Sequence, residues 1–229
     1  MKNDLKIAAL VPMRHHSIRV PEKNFRIIAG KPLFHYIITT LLDVKEIDHI
    51  VVDTDSEKII NGLQKDFPTV KILKRPEHLC ADTIPMNEIL LYDTGQIEAD
   101  LFLQTHSTNP LLKSESISKA ITQLTTNMPS YDSLFSVTRI QSRYWDQLTR
   151  PINHNPSILL RTQDLPPIYE ENSCIYMFKR EILLKHRNRI GERPLMFEID
   201  RSESFDIDEE LDFLLAELMI AHQTGHDLV

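Results

Sequence analysis

The sequence is poor in several things, and each shortage narrows what it can be. Cysteine occurs twice in 229 residues, as Cys80 and Cys174, both in apolar or small-residue settings and neither at a metal-ligand spacing. Reduced, packed thiols in a cytoplasmic protein are the expectation, although sequence alone leaves a single bridge between them open. Long hydrophobic runs are missing. The apolar stretch from Ile7 to Met13 is interrupted by Pro12 and ends at Arg14. It is too short to span a bilayer and carries no small-residue cleavage site, so neither a membrane association nor secretion is expected. Positive charge is in deficit, with 26 Lys and Arg against 33 Asp and Glu and a net charge of −7. That balance argues against nucleic acid as a partner, whose sequence-independent affinity comes from cations on phosphates. Internal repeats and low-complexity segments are absent too. Glycine numbers only five, and neither GxGxxG nor GxxxxGK[ST] occurs.

What is present is a rhythm. "LKIAALVPM" is a near-continuous apolar run, as in a strand buried on both faces. "KPLFHYIITTLLDV" has the helical period, and strand–helix pairs recur in "DHIVVDTD" with "SEKIINGLQKDF", "TVKILKRP" with "MNEILLYDTGQ", and "ADLFLQTHS" with "ESISKAITQLTT". Such alternation predicts an α/β fold: a mainly parallel sheet between helical layers, a three-layer α/β/α sandwich. After Tyr131 the rhythm loosens. "SLFSVTRI" reads as a strand and "SILLRTQDLPPIYEENSCIYMF" as two extended runs around a Pro-Pro turn, an arm able to leave the main body. "DEELDFLLAELMIAHQ" predicts a closing helix with Leu211, Leu214, Leu215 and Leu218 on one stripe. One domain over residues 1–229, with an excursion at about 139–175, is the simplest organisation.

Ligands of parallel sheets bind at the carboxyl ends of the strands, and polar clusters fall there. The first, "RHHSIRVPEKN", concentrates Arg14, Ser17, Arg19, Lys23 and Asn24 in an acidic chain. These side chains can bind phosphate oxygens without a glycine loop; a solvated surface loop is the plainer alternative. His15 and His16 are adjacent, so in an extended segment they face apart and cannot easily share a metal ion. "DTDS" and "QTHST" end two further strands. Either aspartate of the former could cap a helix, and Gln104 and Ser107 of the latter could meet a ligand or satisfy a turn. In "SFDIDEELDF" the period of two puts Asp206 and Asp208 on one face, where hard-cation ligation is possible. Asp206 to Glu209 also fits a D-x-x-E capping box.

The order of these motifs resembles the acylneuraminate cytidylyltransferase family over about Leu5 to Leu218. The family opens with a strand, an arginine and a loop reaching P-x-K-N and AGKPL; here these are Arg14, Ser17, Pro21, Lys23, Asn24 and "AGKPL" at 29–33. "DTDS", the segment from Arg75 to Thr83, "LFLQTHSTNPLL", "SVT", "RTQDLPPIYEENSCIYMFKRE" and "FDIDEELDF" follow in family order.

The resemblance implies a nucleotide-diphospho-sugar transferase-like sandwich, a homodimer whose arm reaches the neighbouring site, and transfer of CMP from CTP to a keto-deoxy sugar acid with release of pyrophosphate. It implies catalytic roles for Arg14, Lys23 and Asp208. Nucleotide contacts would come from Arg14, Ser17, Arg19, Lys23, Asn24 and, at the cytosine, Arg75. Acceptor contacts would come from Gln104, Asn172, Tyr176 and Arg161, and Mg2+ would sit on Asp206 and Asp208. Departures stand out as well. The loop's Ser-Lys-Gly is Ser17-Ile18-Arg19, His15 and His16 replace smaller or amide residues, and Ser173-Cys174 replace Gly-Ala. A binding protein without turnover, or a nucleotidyltransferase for another acceptor, are the rival readings.

Overall fold

The computed structural model describes residues 5–17 and 19–224. A seven-stranded sheet runs in the order β5 (Lys71–Lys74), β4 (His49–Thr54), β1 (Ile7–Leu10), β6 (Leu101–Gln104), β8 (Ile168–Phe178), β7 (Ser133–Ile140), β9 (Pro194–Glu198). Strands β5, β4, β1 and β6 pair in parallel, as do β7 and β9, while β8 runs against both its neighbours. A two-residue hairpin, β2 (Ile27–Ile28) and β3 (Lys31–Pro32), lies outside it. Its turn holds Ala29 and Gly30 at φ of 44° and 82°, a geometry glycine accepts freely and other residues resist.

Alternation along β1 distributes the core. Ile7, Ala9 and Val11 join one buried cluster with α1 (Leu33–Leu42), α2 (Glu57–Asp66) and α4 (Ser114–Asn127). Ala8 and Leu10 face the other way, toward α3 (Met86–Gln96) and α5 (Arg180–His186). The result is helices on both faces of a mainly parallel sheet, the expected sandwich.

One local expectation needs correction. The run before Pro166 forms no strand; Thr162–Asp164 is a single 3-10 turn, and Ile158, Leu159 and Leu160 are exposed. Side chains tie this excursion together instead: Gln141 donates to the carbonyls of Gln163 and Leu165, and Asn153 to those of Ser142 and Pro166. The closing helix forms as expected, as α6 (Glu210–Thr224). A leucine stripe ordinarily faces the core, yet Leu211 and Leu214 are 62% and 53% exposed and Leu215 and Leu218 are also open. The helix buries Phe213, Ala216 and Ile220 in a third cluster with Val20, Ile28, Leu33 and Ile207. Both faces are apolar, and polar anchors choose between them. Arg26 stacks 4.2 Å over Phe213 and reaches Glu210 through Nη1, while Glu217 accepts the N–H of Ala29.

Candidate active site

The chain order reverses between β1 and β6, so their carboxyl ends open a crevice. The cationic loop leaves β1 there and "QTHST" leaves β6. Buried Val20 pins the loop, and Asn24 braces it: Nδ2 donates to the Arg14 carbonyl at 2.8 Å, and Oδ1 accepts from Ser107 Oγ at 2.6 Å. Asn24 thus spends its amide on the protein's own loop. The crevice is a cleft of about 550 Å³ lined by Arg14, His16, Ser17, Arg19, Lys23 and Arg75, among others. Ile18 lies outside the described residues.

The opposite end of the chain meets this loop. Buried Ile207 donates its N–H to the Thr108 carbonyl at 3.0 Å, fixing the segment before α6. Lys23 donates to the Ile207 carbonyl and stands 3.7 Å from Asp208 Oδ1, while Arg19 Nη2 donates to that same oxygen at 2.7 Å. Burial pulls the Lys23 ammonium below its ordinary pKa, with Asp208 and Asp206 pulling it back up. Asp206 is pushed up by loss of water in this crowded corner and by Asp208, against the hydrogen bond from Thr108 and the charge of Lys23; its outer surface still meets solvent. Neither aspartate caps α6. Asp212 does so, accepting from the N–H groups of Asp208 and Glu209 at 3.0 and 2.8 Å, which overturns the D-x-x-E box.

The "DTDS" aspartates are not caps either. Ser56 caps α2 through the Ile59 N–H, Asp55 accepts the His15 N–H at 2.7 Å, and Asp53 lies buried against Arg75. Arg75 gives Nε to Asp53 and lines the cleft, with Nη1 taking no acceptor among the described residues. Beneath it Asp93 is fully buried and beside Asp53. Neither of its oxygens receives an N–H or O–H donor from the described residues other than a proton shared with Asp53. Burial and the charge of Asp53 push the Asp93 carboxyl up to about 8. His15 Nδ1 meets Ser56 Oγ at 2.8 Å, and its ring sits edge-on to His16.

The residues expected to meet the acceptor divide. Gln104 and Tyr176 come together, both fully buried. Asn172 sits at the β7 bulge, accepting from Ser136 and the Cys174 N–H and donating to Thr138, so it braces the strand pair. Arg161 is not brought to the cleft. It lies in the excursion and forms a bidentate pair with Asp164. Arg14, at the rim, is paired with Asp82 of the facing segment. Three residues beside or beneath the cleft escaped sequence reasoning: Asp93 next to Asp53, His106 in the lining, and Arg189, which donates to Gln104. His106 stood inside a quoted motif, whereas Arg189 sits in "KHRNRIGERP", which reads as an ordinary charged surface loop.

A sheet crevice in which a cationic, glycine-poor loop closes on two aspartates from the far end of the chain is the layout of a nucleotidyltransferase. The chain belongs to the cytidylyltransferase family, whose model matches residues 8–226. The N-acylneuraminate cytidylyltransferase A of Danio rerio is 28% identical over 219 residues, 92% of this chain and 50% of that protein. The CMP-N,N'-diacetyllegionaminic acid synthase of Legionella pneumophila is 30% identical over 231 residues, 94% of this chain and 97% of that protein. The chain therefore spans half of the first relative and nearly all of the second. A solved CMP:2-keto-3-deoxy-manno-octonic acid synthetase complexed with CTP shares the fold, with a TM-score of 0.71 at 14% identity, over 95% of this chain and 99% of that one. Among the described residues no helix is long and apolar enough to cross a membrane, and both cysteines are free.

Proposed function

We propose that this chain transfers CMP from CTP to the anomeric hydroxyl of a sialic-acid-like keto-deoxy sugar acid. The observation that carries the reading is the convergence of Arg19 and Lys23 on Asp208, which sets phosphate-binding cations against carboxylates in one corner of the cleft. The acceptor oxygen attacks the α-phosphorus, the bond to the β-phosphate breaks, and pyrophosphate departs as the hydroxyl gives up its proton. Arg14, Ser17, Arg19 and Lys23 hold the triphosphate, and the cations stabilise charge that grows on the leaving group. Arg75, pinned by Asp53, lines the cleft that takes the nucleotide, while Asn24 keeps the loop in shape. The named relatives support a nine-carbon or related sugar acid as the acceptor.

Magnesium fits the donor set. Asp206 and Asp208 are hard oxygen ligands whose mutual repulsion a cation relieves, and Asp208 keeps Oδ2 free of hydrogen bonds from the described residues. No cluster of three or more His, Cys, Asp or Glu that could hold a metal is found among the described residues, so oxygens of the nucleotide would complete the shell. Bound there, the ion would polarise the α-phosphate and acidify the attacking hydroxyl. The excursion exposes Trp145, Leu148, Ile152 and Leu159, an apolar surface suited to a second copy of the chain. In such a homodimer Arg161 would reach the neighbouring site. The free thiols suit the cytoplasm, where we place the reaction.

Pyrophosphate release measured with each of the four nucleoside triphosphates against a panel of keto-deoxy sugar acids tests the proposal. Release with CTP alone, and only when an acid is present, is the expected result. Turnover that prefers another triphosphate, or a neutral sugar, would overturn it.

A further inference from the structure

Gln104 and Tyr176 do not offer their polar ends to the cleft; Arg189 covers them. Its guanidinium lies 3.6 Å from the centre of the Tyr176 ring, and Nη1 donates to Gln104 Oε1 at 2.7 Å. The platform beneath is rigid. The Tyr176 hydroxyl is engaged by Glu171 and Ser173, and Gln104 Nε2 meets His106 Nε2 at 2.9 Å. That contact needs an unprotonated His106 Nε2, and burial with the charges of Arg189 and Lys23 holds the ring to about 3.

The loop that carries Arg189 is equally fixed. Asp132 accepts the N–H groups of Glu192 and Arg193, and Ser133 accepts that of Gly191. A Cβ on Gly191 would stand 2.3 Å from Asp132 Oδ1, so the loop is built for close approach. Arg187 anchors its start, Nη2 donating to both carboxylate oxygens of Glu88. Against this scaffold Arg189 spends one N–H and its stacking face. Its Nε and Nη2 take no acceptor among the described residues, and a guanidinium has five N–H groups to give.

We propose that Arg189 is a specificity-determining residue that takes the carboxylate of the acceptor through these remaining N–H groups. The inference rests on the acceptor class proposed above. In a keto-deoxy sugar acid the carboxylate is attached to the same carbon as the attacking hydroxyl, so it must lie close to the α-phosphate. The cations of the opening loop are committed there to the triphosphate and to Asp208. The Gln104 amide bridges Arg189 and His106, at 2.7 and 2.9 Å, and His106 lines the same cleft as Lys23. A carboxylate beside His106 is therefore within reach of Arg189 and adjacent to the phosphates. His106 is neutral and accepts from Gln104, which leaves Arg189 as the positive charge of this cluster.

The test uses two competitive inhibitors of the acceptor: an analogue of the sugar acid that lacks the anomeric hydroxyl, and the carboxamide of that analogue. The wild type should bind the acid more tightly than the amide by about 10- to 100-fold, the worth of a charge-assisted contact. Arg189→Gln should erase most of that preference while the KM for CTP and the melting temperature stay near wild type. Arg189→Lys should keep part of it. Arg189→Gln with the preference intact, or loss of the preference in Arg161→Gln instead, would overturn the assignment. A wild type that turns over no acid would overturn the proposed function itself, a result distinguishable from either.

Discussion

Arg19 donates to Asp208 at 2.7 Å although 189 positions separate them in the chain. The contact ties the loop after the first strand to the segment before the last helix, and it brings anion-binding and cation-binding groups into one corner. Their side chains are 61% and 44% exposed. An exposed pair of this kind adds at most about 1 kcal/mol to stability, so its use must be sought in the reaction.

Arg19→Ala tests that use. If Arg19 stabilises the departing pyrophosphate, the variant should lose about tenfold or more in kcat while the KM for CTP rises less. Its melting temperature should fall by less than about 3 °C. Steady-state kinetics beside a thermal melt measure both, and an unchanged kcat would leave the leaving group to Arg14 and Lys23.

The two aspartates give a sharper case, because Asp212 caps the helix. Asp206→Asn and Asp208→Asn should fold normally yet lose most activity, Asp208→Asn the more severely. Near neutral pH Asp206→Asn should melt at or slightly above wild type, since its raised pKa marks an ionised carboxylate that folding disfavours. Asp212→Ala should instead cost about 0.5–2 kcal/mol through loss of the cap. Full activity in both asparagine variants at limiting magnesium would reduce "DID" to scaffolding.

Much of this was legible in the residues. The parallel sheet followed from apolar runs alternating with helical periods, and the cleft followed from polar clusters at the ends of those runs. Less legible was what each polar group does once placed. Asn24 and Asn172 read as ligand contacts, and the hydrogen bonds they make within the protein were not legible, because partners such as the Ser107 and Ser136 hydroxyls are distant in sequence and meet them only in the fold. Arg75 pairs with Asp53 for the same reason, across parallel strands. Arg189 could not be told from its charged neighbours, since only the sheet brings Gln104 and Tyr176 beneath it.

The buried pair of Asp53 and Asp93 predicts a pH dependence. A carboxyl whose folded pKa is raised binds its proton more tightly in the native state, so stability is fullest below the unfolded value and declines as pH rises. For Asp93 the decline should run from about 4 to about 8. Asp93→Asn supplies a permanent N–H donor toward Asp53. It should flatten this slope, with a larger gain in melting temperature over wild type at pH 8.5 than at pH 5. Parallel melting curves for the two proteins across that range would refute the shared proton.

The face that α6 buries can be tested by substitution, because periodicity and structure forecast opposite rankings. A leucine stripe read as core predicts that Leu214 matters most. In the structure Leu214 is open to solvent while Phe213 is 4% exposed and stacked beneath Arg26. Leu214→Gln should therefore shift stability by no more than about 0.5 kcal/mol. Phe213→Ala should cost about 3–5 kcal/mol by emptying a filled site, and it also removes the ring on which Arg26 rests. Ala216 is fully buried where the helix approaches its neighbours, so Ala216→Leu should cost about 1–3 kcal/mol through overpacking. Urea midpoints for the three variants, at constant m-value, give the ranking directly. A Leu214→Gln penalty as large as that of Phe213→Ala would show that the helix turns its leucine face to the core.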